Sequence, residues 1–300
     1  MKARTWAELA WFSASTVLLR RKDPIIGSVI LTDRCNLHCQ HCAVANIRRI
    51  NYPMPRVRAD MASLHDAGAR VLFLFGGEPF LWRDGELGLR DVVAEARRIG
   101  FPLVNVVTNG TRGLDLPDVD LMMVSLDGTR EHHDEIRGRT YDRILANIAD
   151  AKADNICLYM AINRINVDDI EHVCALARDL PNVRAVAFNF HTPYPGTEHL
   201  SLTRDQKRDC AARITRMKKA GFPVLDLVSA LPAIAENDFP TPCNQCLIAE
   251  DGQTWVCGRC IETPGLCQEC GYFFAAELSL LFAGRPRVVA EAMRTYARIL

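Results

Sequence analysis

Three cysteines with the spacing CxxxCxxC, Cys35, Cys39 and Cys42, are the residues of this sequence best suited to chemistry. They follow directly after an apolar run that is typical of a buried β-strand. Thiolates are soft ligands that suit iron–sulfur clusters, zinc or Cu(I), and three cysteines cannot all pair with one another as disulfides. One interpretation is a zinc ion with His38 or His41 as the fourth ligand. The other is a 4Fe–4S cluster in which one iron stays open for a substrate or cofactor.

A second cysteine group lies near the C-terminal end of the 300-residue chain. It consists of three CxxC pairs, and these are Cys243 with Cys246, Cys257 with Cys260, and Cys267 with Cys270. The first two pairs have the spacing of a zinc ribbon, so zinc and a second iron–sulfur cluster both stay open. Asp251-Gly252 is a turn signal ahead of Cys257, and it predicts a β-hairpin there.

The chain between the two cysteine groups alternates strand-like and helix-like segments. Six apolar runs rich in β-branched residues predict strands at Ile25–Leu31, Val71–Phe75, Leu103–Val107, Leu121–Leu126, Ile156–Ile162 and Val183–Phe190. Helices are predicted at Arg56–Ala67, Leu87–Ile99, Tyr141–Ala153, Asp168–Leu180 and Thr203–Ala220, with a short one before Tyr141 and two after the second cysteine group, Tyr272–Phe282 and Arg285–Ile299. This alternation predicts an α/β fold with a parallel sheet. We expect an open, partial (β/α)6 TIM-like barrel, with a flat doubly wound sheet as the alternative.

Polar and glycine-rich segments follow the predicted strands at their C-terminal ends. Gly76–Pro79 follows the second strand, Thr108 and Ser125 lie at the ends of the third and fourth strands, and Asn163 follows the fifth strand. Parallel barrels and sheets carry their active sites at this edge. The sequence therefore predicts that these residues and the first cysteine group meet at one site.

The chain from about residue 25 to about residue 200 strongly resembles the radical S-adenosylmethionine (radical SAM) enzyme superfamily. The resemblance is carried by Cys35, Cys39 and Cys42 together with Gly76-Gly77-Glu78-Pro79 at the end of the next strand. It implies that the three cysteines hold a 4Fe–4S cluster that binds S-adenosylmethionine (SAM). It also implies that the reduced cluster cleaves SAM to a 5′-deoxyadenosyl radical, which removes a hydrogen atom from a substrate.

The resemblance further implies a binding role for individual residues. Gly76, Gly77, Glu78 and Pro79 would hold the methionyl amino group of SAM, because two glycines let the backbone approach a ligand closely. Arg137 would pair with the carboxylate of SAM through its guanidinium fork. Further contacts to SAM are expected from residues at the ends of the strands, namely Thr108, Ser125 and Asn163. For Thr108 and Asn163 a hydrogen bond within the strand end is an equal alternative.

The C-terminal cysteine group resembles the short auxiliary-cluster extensions of radical SAM enzymes, called SPASM or twitch. This resemblance implies a second 4Fe–4S cluster held by four of the six cysteines, with zinc as the alternative. It also implies a one-electron donor, such as flavodoxin or ferredoxin, and a peptide or protein side chain as substrate. The competing hypothesis for the whole chain is an iron–sulfur or zinc protein that carries electrons without SAM chemistry.

Composition and the N-terminus limit the partners further. Lys and Arg total 36 and Asp and Glu total 36, so the formal net charge is zero. No excess of basic residues therefore favours binding to nucleic acid. Residues 1–24 predict an amphipathic helix that caps the protein or lies on a membrane surface, and membrane contact would favour a lipid or isoprenoid substrate. We expect a cytoplasmic protein, either free or peripheral to a membrane. The predicted organisation is the helix at 1–24, a radical SAM barrel at 25–230 and a cysteine-rich extension at 231–300.

Overall fold

An eight-stranded sheet forms the centre of the computed structural model, which describes residues 23–241, 243, 245–257 and 262–299. The strands are β1 (Ile26–Thr32), β2 (Val71–Gly76), β3 (Leu103–Thr108), β4 (Leu121–Ser125), β5 (Ile156–Ile162), β6 (Val183–Phe190), β7 (Cys246–Glu250) and β8 (Gln253–Val256). Their order is β6-β5-β4-β3-β2-β1-β7-β8, and β1 to β6 pair in parallel with their neighbours in sequence. The sheet does not close, which confirms the predicted α/β partial barrel.

Helices follow most of the parallel strands, as the alternating sequence pattern predicts. They are α1 (Met54–Asp66), α2 (Leu89–Ile99), α3 (Arg130–Arg137), α4 (Tyr141–Ala149), α5 (Ile170–Asp179), α6 (Arg204–Lys219), α7 (Leu231–Glu236), α8 (Phe273–Phe282) and α9 (Pro286–Ile299). A capping box begins α6, since Thr203 and Gln206 exchange hydrogen bonds. Helix α4 ends four residues before the predicted Ala153, because the polar stretch after Ala149 forms a loop.

Apolar side chains are buried on both faces of the sheet, which explains the continuous apolar runs of the parallel strands. One face packs against the helices through the large core. The other face holds a smaller cluster built from Leu121, Met123, Cys157, Ala185, Ala187 and Leu225. Phe274 of α8 packs against this smaller cluster, and its ring lies 6.2 Å from that of Phe73 on β2. Helix α8 therefore contacts the same face as the centres of β2 and β4.

The predicted hairpin before Cys257 is present, and it extends the central sheet. β7 and β8 pair antiparallel across the turn at Asp251 and Gly252, and both turn residues have positive φ angles of 52° and 80°. β7 also pairs in parallel with β1, with Cys246 opposite Ile26. The cysteine-rich segment thus adds two strands to the barrel sheet, a pairing that the sequence pattern did not reveal.

The predicted N-terminal helix lies outside the described residues, apart from Asp23 and Pro24, which are not helical. Within the described part of the chain, no helix has both the length and the apolar character needed to cross a membrane. The predicted boundaries at residues 24 and 230 stay predictions.

Candidate active site

The loop that carries the first three cysteines is fixed at its base by the buried carboxylate of Asp33. This carboxylate accepts hydrogen bonds from the backbone N–H groups of Arg48, Arg49 and Ile50, with N···O distances of 2.9 Å for Arg49 and 2.5 Å for Ile50. Burial alone would raise the pKa of Asp33, but these N–H groups and the charge of Arg48 hold it below its usual value. A single carboxylate therefore closes the loop from residue 33 to residue 50.

Gly76 and Gly77 lie directly against the backbone of this loop. The N–H of Gly77 donates to the carbonyl oxygen of Thr32 at 2.7 Å, and the N–H of Glu78 donates to that of Arg34 at 2.8 Å. A Cβ atom on Gly76 or Gly77 would lie 2.2 Å from one of these two carbonyl oxygens. The glycine pair is thus required by the close approach of two backbones at the end of β2.

The side chain of Glu78 joins the ends of β2 and β3. It is fully buried and accepts hydrogen bonds from Thr108 Oγ1 at 2.8 Å, from the N–H of Asn109 at 2.8 Å and from the N–H of Phe80 at 3.1 Å. Burial raises the pKa of Glu78 despite these hydrogen bonds. Thr108, predicted as a contact to SAM, here has its hydroxyl group bound to this carboxylate.

Asn109 connects the third strand to the first cysteine. Its Nδ2 atom lies 3.6 Å from Cys35 Sγ and donates to Asn36 Oδ1 at 3.0 Å. Its Oδ1 atom accepts from the hydroxyl group of Thr111 at 2.7 Å, which fixes the orientation of the amide. The sequence placed Asn109 at a strand end, but nothing in the pattern identified it as a partner of cysteine sulfur.

Arg137 connects helix α3 to the second cysteine. Its Nη1 atom lies 3.8 Å from Cys39 Sγ, and its Nε atom donates to Asp127 Oδ2 at 2.6 Å. Burial would raise the pKa of Asp127, but the charge of Arg137 and the hydrogen bond that it donates hold that pKa below its usual value. Burial raises the pKa of Cys39 to about 11, even though Arg137 favours its thiolate. The cysteine loop is also bound to α3 by the N–H of Gln40, which donates to the carbonyl oxygen of Ile136 at 3.0 Å.

His41 is packed between the cysteine loop and Asp127. Its Nε2 atom lies 3.8 Å from Asp127 Oδ2, and its ring centroid lies 6.5 Å from that of His191. Burial, together with the charge of Arg137, lowers the pKa of His41 to about 4, so the imidazole is neutral at pH 7. Its Nδ1 atom is buried without a hydrogen-bond partner among the described residues. A buried polar atom of this kind favours a bound group beside it.

Ser125 and Asn163 complete the set of predicted SAM contacts. Ser125 is the buried last residue of β4 and lies in register with Tyr159 of β5. Asn163 is fully buried beyond β5, where its Oδ1 atom accepts from the N–H of Ile165 at 2.9 Å and its Nδ2 atom donates to the carbonyl oxygen of Ala161 at 3.2 Å. Both residues lie at the predicted edge of the sheet, and the polar atoms of Asn163 are used within its own turn.

The described cysteines of the second group lie close to one another. Cys257 is hydrogen-bonded to Cys243 through the side chains, and the N–H of Cys257 donates to the carbonyl oxygen of Cys246 at 2.9 Å. Burial raises the pKa of the Cys246 thiol, and the charges of Cys257 and Cys270 raise it further. Burial raises the pKa of Cys267 as well, and the nearby thiol of Cys257 raises it further. Cys260 lies outside the described residues.

The donor sets of both groups fit iron–sulfur clusters. Each offers three or more soft sulfur atoms, and the first group adds an amide and a guanidinium close to sulfur. Within the described ranges, no three His, Cys, Asp or Glu side chains converge on one point that a single metal ion could occupy. A 4Fe–4S cube binds its cysteines at separate corners, so its ligands do not need to converge on one point.

Comparison with known proteins identifies the family. Residues 29–177 match the model of the radical SAM superfamily. The chain belongs to the radical SAM superfamily. It is 31% identical over 216 residues to the Fe-coproporphyrin III synthase of Methanosarcina barkeri, covering 64% of this chain and 52% of that protein. It is 29% identical over 168 residues to the sporulation killing factor maturation protein SkfB of Bacillus subtilis, covering 50% of this chain and 38% of that protein.

A solved structure also superposes on most of this chain. Streptococcus suis SuiB bound to the precursor peptide SuiA matches with a TM-score of 0.62 and 11% identity, covering 95% of this chain and 70% of that chain. This identity is low, so the likeness supports the fold alone. The chain spans about half the length, or less, of the curated relatives it matches.

Proposed function

We propose that this radical SAM protein binds a 4Fe–4S cluster through Cys35, Cys39 and Cys42 and cleaves SAM reductively. When bound and reduced, the cluster supplies one electron to the sulfonium of SAM, which yields methionine and a 5′-deoxyadenosyl radical. The observation that carries the proposal is the pair of contacts from Asn109 to Cys35 and from Arg137 to Cys39. These contacts bring the cysteine loop to the ends of the strands, where the glycine pair also lies.

The residues of the chain orient and shield the cofactor under this proposal. Arg137 is held by the buried Asp127, so its guanidinium is positioned for a carboxylate without the entropy cost of a free side chain. The backbone of Gly76–Pro79 offers polar atoms to the methionyl amino group. Ser125 would contact SAM at the same edge of the sheet, where Thr108 holds Glu78 and Asn163 holds its own turn. The fully buried Asp127 and the partly buried Cys39 and His41 would shield the cluster from water on this side.

We further propose that the second cysteine group holds an auxiliary 4Fe–4S cluster, using four of its six cysteines. The mutual proximity of Cys243, Cys246 and Cys257 supports this proposal. Zinc is the alternative for this group, and metal analysis distinguishes the two. An iron–sulfur cluster here could bind the substrate or accept an electron from the product radical.

A peptide is the substrate class that we propose. One sequence relative is named as the maturation protein of a killing factor, and the fold matches SuiB bound to a precursor peptide. A tetrapyrrole is the second candidate, because the relative with 31% identity is a coproporphyrin synthase. The membrane-lipid alternative depends on residues 1–22, which lie outside the described part of the chain.

Anaerobic reconstitution followed by reduction with dithionite and addition of SAM tests the activity directly. We expect 5′-deoxyadenosine from the unchanged protein and from Cys174→Ala, because Cys174 is buried in the face of α5 that packs on the core. Cys39→Ala should form none and should lose about one cluster of iron per chain. Full SAM cleavage by Cys39→Ala would refute the assignment of the three ligands.

Metal analysis of Cys257→Ala tests the auxiliary site separately. This variant should keep SAM cleavage and the iron of the first cluster while losing the iron of the second. Zinc instead of iron in the second site of the unchanged protein would replace the auxiliary-cluster proposal and leave the first proposal intact.

A further inference from the structure

The segment that closes the first cysteine loop returns alongside the end of β1. Asn51 forms an antiparallel bridge with Thr32, and the N–H of Tyr52 donates to the carbonyl oxygen of Leu31 at 3.1 Å. The hydroxyl group of Thr32 donates to the carbonyl oxygen of Ile50 at 2.7 Å. One side of this returning segment is therefore held by the strand that leads into the loop.

The buried carboxylate of Glu250, the last residue of β7, contacts the same returning segment. Its Oε1 atom accepts from Tyr52 Oη at 2.8 Å and from Arg48 Nη2 at 2.9 Å. The guanidinium of Arg48 also donates to the hydroxyl group of Tyr52 and lies 5.9 Å from the centre of its ring. Glu250 and Tyr52 are each 3% exposed, whereas the side chain of Arg48 is 48% exposed. Charge-assisted hydrogen bonds of this kind are stronger than neutral ones and fix the orientation of both partners.

Arg48 connects Glu250 to the base of the cysteine loop. The backbone N–H of Arg48 donates to the carboxylate of Asp33, which closes the loop. Asp33 in turn lies two residues before Cys35 in the sequence. A displacement of Arg48 would therefore change the hydrogen bonds at the base of the loop that carries the three sulfur atoms.

The hairpin that supplies Glu250 carries the second cysteine group at its other end. Cys246 is the first residue of β7, and the N–H of Cys257 donates to its carbonyl oxygen at 2.9 Å. β7 pairs in parallel with β1, with Cys246 opposite Ile26. A strand rises about 3.3 Å per residue, so Cys246 lies roughly 20 Å along β1 from the first cysteine loop. The carboxyl end of β7 thus reaches the first cysteine site, and its amino end reaches the second.

We propose that Glu250 is a positioning residue for the first cysteine site, supplied by the cysteine-rich C-terminal segment. This inference rests on the proposed function, because it concerns binding of SAM at that site. SAM would contact both the cluster on the loop and Gly76–Pro79 at the end of β2. A displacement of the loop against β2 therefore weakens SAM binding before the cluster itself is lost. The C-terminal segment thus has a task at the barrel that does not depend on a metal at its own cysteines.

The test is a titration of the reconstituted, dithionite-reduced protein with SAM, followed by electron paramagnetic resonance. The variants are Glu250→Gln, Arg48→Met and the two combined. Each single variant should keep the iron of the first site and raise the dissociation constant for SAM about tenfold, as loss of an outer-shell partner of a metal ligand does. The double variant should raise it by no more than one single variant does, because both substitutions act on one contact.

Asp60→Asn is the matched control, because it removes another buried, arginine-paired carboxylate that holds the same hairpin. Asp60 is 4% exposed, accepts from the N–H of Gly252 at 3.0 Å and lies 3.7 Å from Arg56. These partners lie at the hairpin turn and on α1, away from the returning segment. Asp60→Asn should therefore bind SAM as the unchanged protein does.

Equal dissociation constants for SAM in Glu250→Gln and Asp60→Asn would overturn the proposal, and so would fully additive effects in the double variant. Absence of a SAM-dependent spectral change in the unchanged protein would refute the proposed function instead. Amide hydrogen exchange would then decide the positioning role. The N–H groups of Arg48, Arg49 and Ile50 should exchange faster in Glu250→Gln than in Asp60→Asn, and equal exchange rates would contradict that role.

Discussion

At the scale of single residues, Arg137 and Asp127 form the charge pair that joins the cysteine loop to the barrel. Asp127 is fully buried, and its other carboxylate oxygen accepts from the N–H of Ala161 at 2.9 Å. Removing one partner of a buried charge pair is costly, because the remaining charge is left without compensation. The pair therefore controls both stability and the geometry around Cys39.

We predict that Arg137→Gln lowers the free energy of unfolding by about 3 kcal/mol at pH 7. In the unchanged protein the pKa of Asp127 is depressed, so its stabilising contribution is present above the usual aspartate pKa and is lost as pH falls through the folded value. Without Arg137 the carboxyl is protonated more readily, so the difference between the two proteins should narrow as pH falls from 7 to 4. Urea denaturation at several pH values measures this difference in the free energy of unfolding. Arg97→Gln, which removes a half-exposed partner of Asp120, should cost less than about 1 kcal/mol, and an equal cost for both variants would contradict the prediction.

The sequence predicted the identity of the cysteine ligands and of the glycine pair, but it did not predict what holds them. Cys35, Cys39 and Cys42 are marked by their spacing alone. Asp33, Asn109 and Asp127 act through partners that are 17, 74 and 10 residues away in the chain, so no local pattern identifies them. Their one signal in the sequence is their position just after an apolar run.

At the scale of elements, the close approach of β2 to the cysteine loop is the feature most sensitive to substitution. Gly77 requires space and not a positive φ angle, since its added Cβ would meet the carbonyl oxygen of Arg34 at 2.2 Å. Gly221 is the reverse case, with a φ of 90° and no heavy atom within 4 Å of an added Cβ. A substitution at Gly77 therefore tests steric crowding, whereas a substitution at Gly221 tests backbone strain.

We predict that Gly77→Ala displaces the cysteine loop and abolishes iron incorporation at the first site. Gly221→Ala should lower stability by roughly 1 kcal/mol and keep its iron. Iron content and the visible absorption of the reconstituted variants measure the outcome. A fully loaded first cluster in Gly77→Ala would show that the loop does not need this contact.

The strands were predicted to within one residue because continuous apolar runs of this length, rich in β-branched residues, favour buried parallel strands. For example, β5 and β6 begin and end as predicted, at Ile156–Ile162 and Val183–Phe190. The pairing of β7 with β1 was not predicted, because Cys246–Glu250 carries no local information about its neighbour.

At the scale of the whole molecule, two buried carboxyl groups connect α8 to the edge strand β6. Asp226 accepts from the N–H of Phe188 at 3.0 Å, and Glu277 of α8 accepts from the N–H of Leu227 at 2.7 Å. Burial raises the pKa of Asp226 to about 8 and also raises that of Glu277. Helix α8 is thus attached to the barrel beside Asp226, which keeps its proton up to about pH 8, and through Glu277, whose pKa burial also raises.

We predict that Asp226→Asn weakens the dependence of stability on pH. Folded Asp226 keeps its proton up to about pH 8, whereas the unfolded chain releases it near pH 4, so stability falls as pH rises between these values. One such group changes the free energy of unfolding by at most about 1.4 kcal/mol per pH unit. Denaturation between pH 5 and pH 8 should therefore show the variant gaining stability relative to the unchanged protein. Asp115 is exposed and serves as the control, so the free energy of unfolding of Asp115→Asn should follow the same pH dependence as that of the unchanged protein. The same pH dependence in Asp226→Asn would contradict the prediction.

The electron paramagnetic resonance spectrum of the dithionite-reduced Cys257→Ala variant, recorded with and without SAM, tests the central claim most directly. In this variant only the cluster at Cys35, Cys39 and Cys42 should contribute to the spectrum. We predict that addition of SAM changes the spectrum until the site is saturated. We also predict that the signal is lost in the double variant Cys39→Ala/Cys257→Ala. Identical spectra with and without SAM, or a signal that survives Cys39→Ala, would contradict binding of SAM at this site.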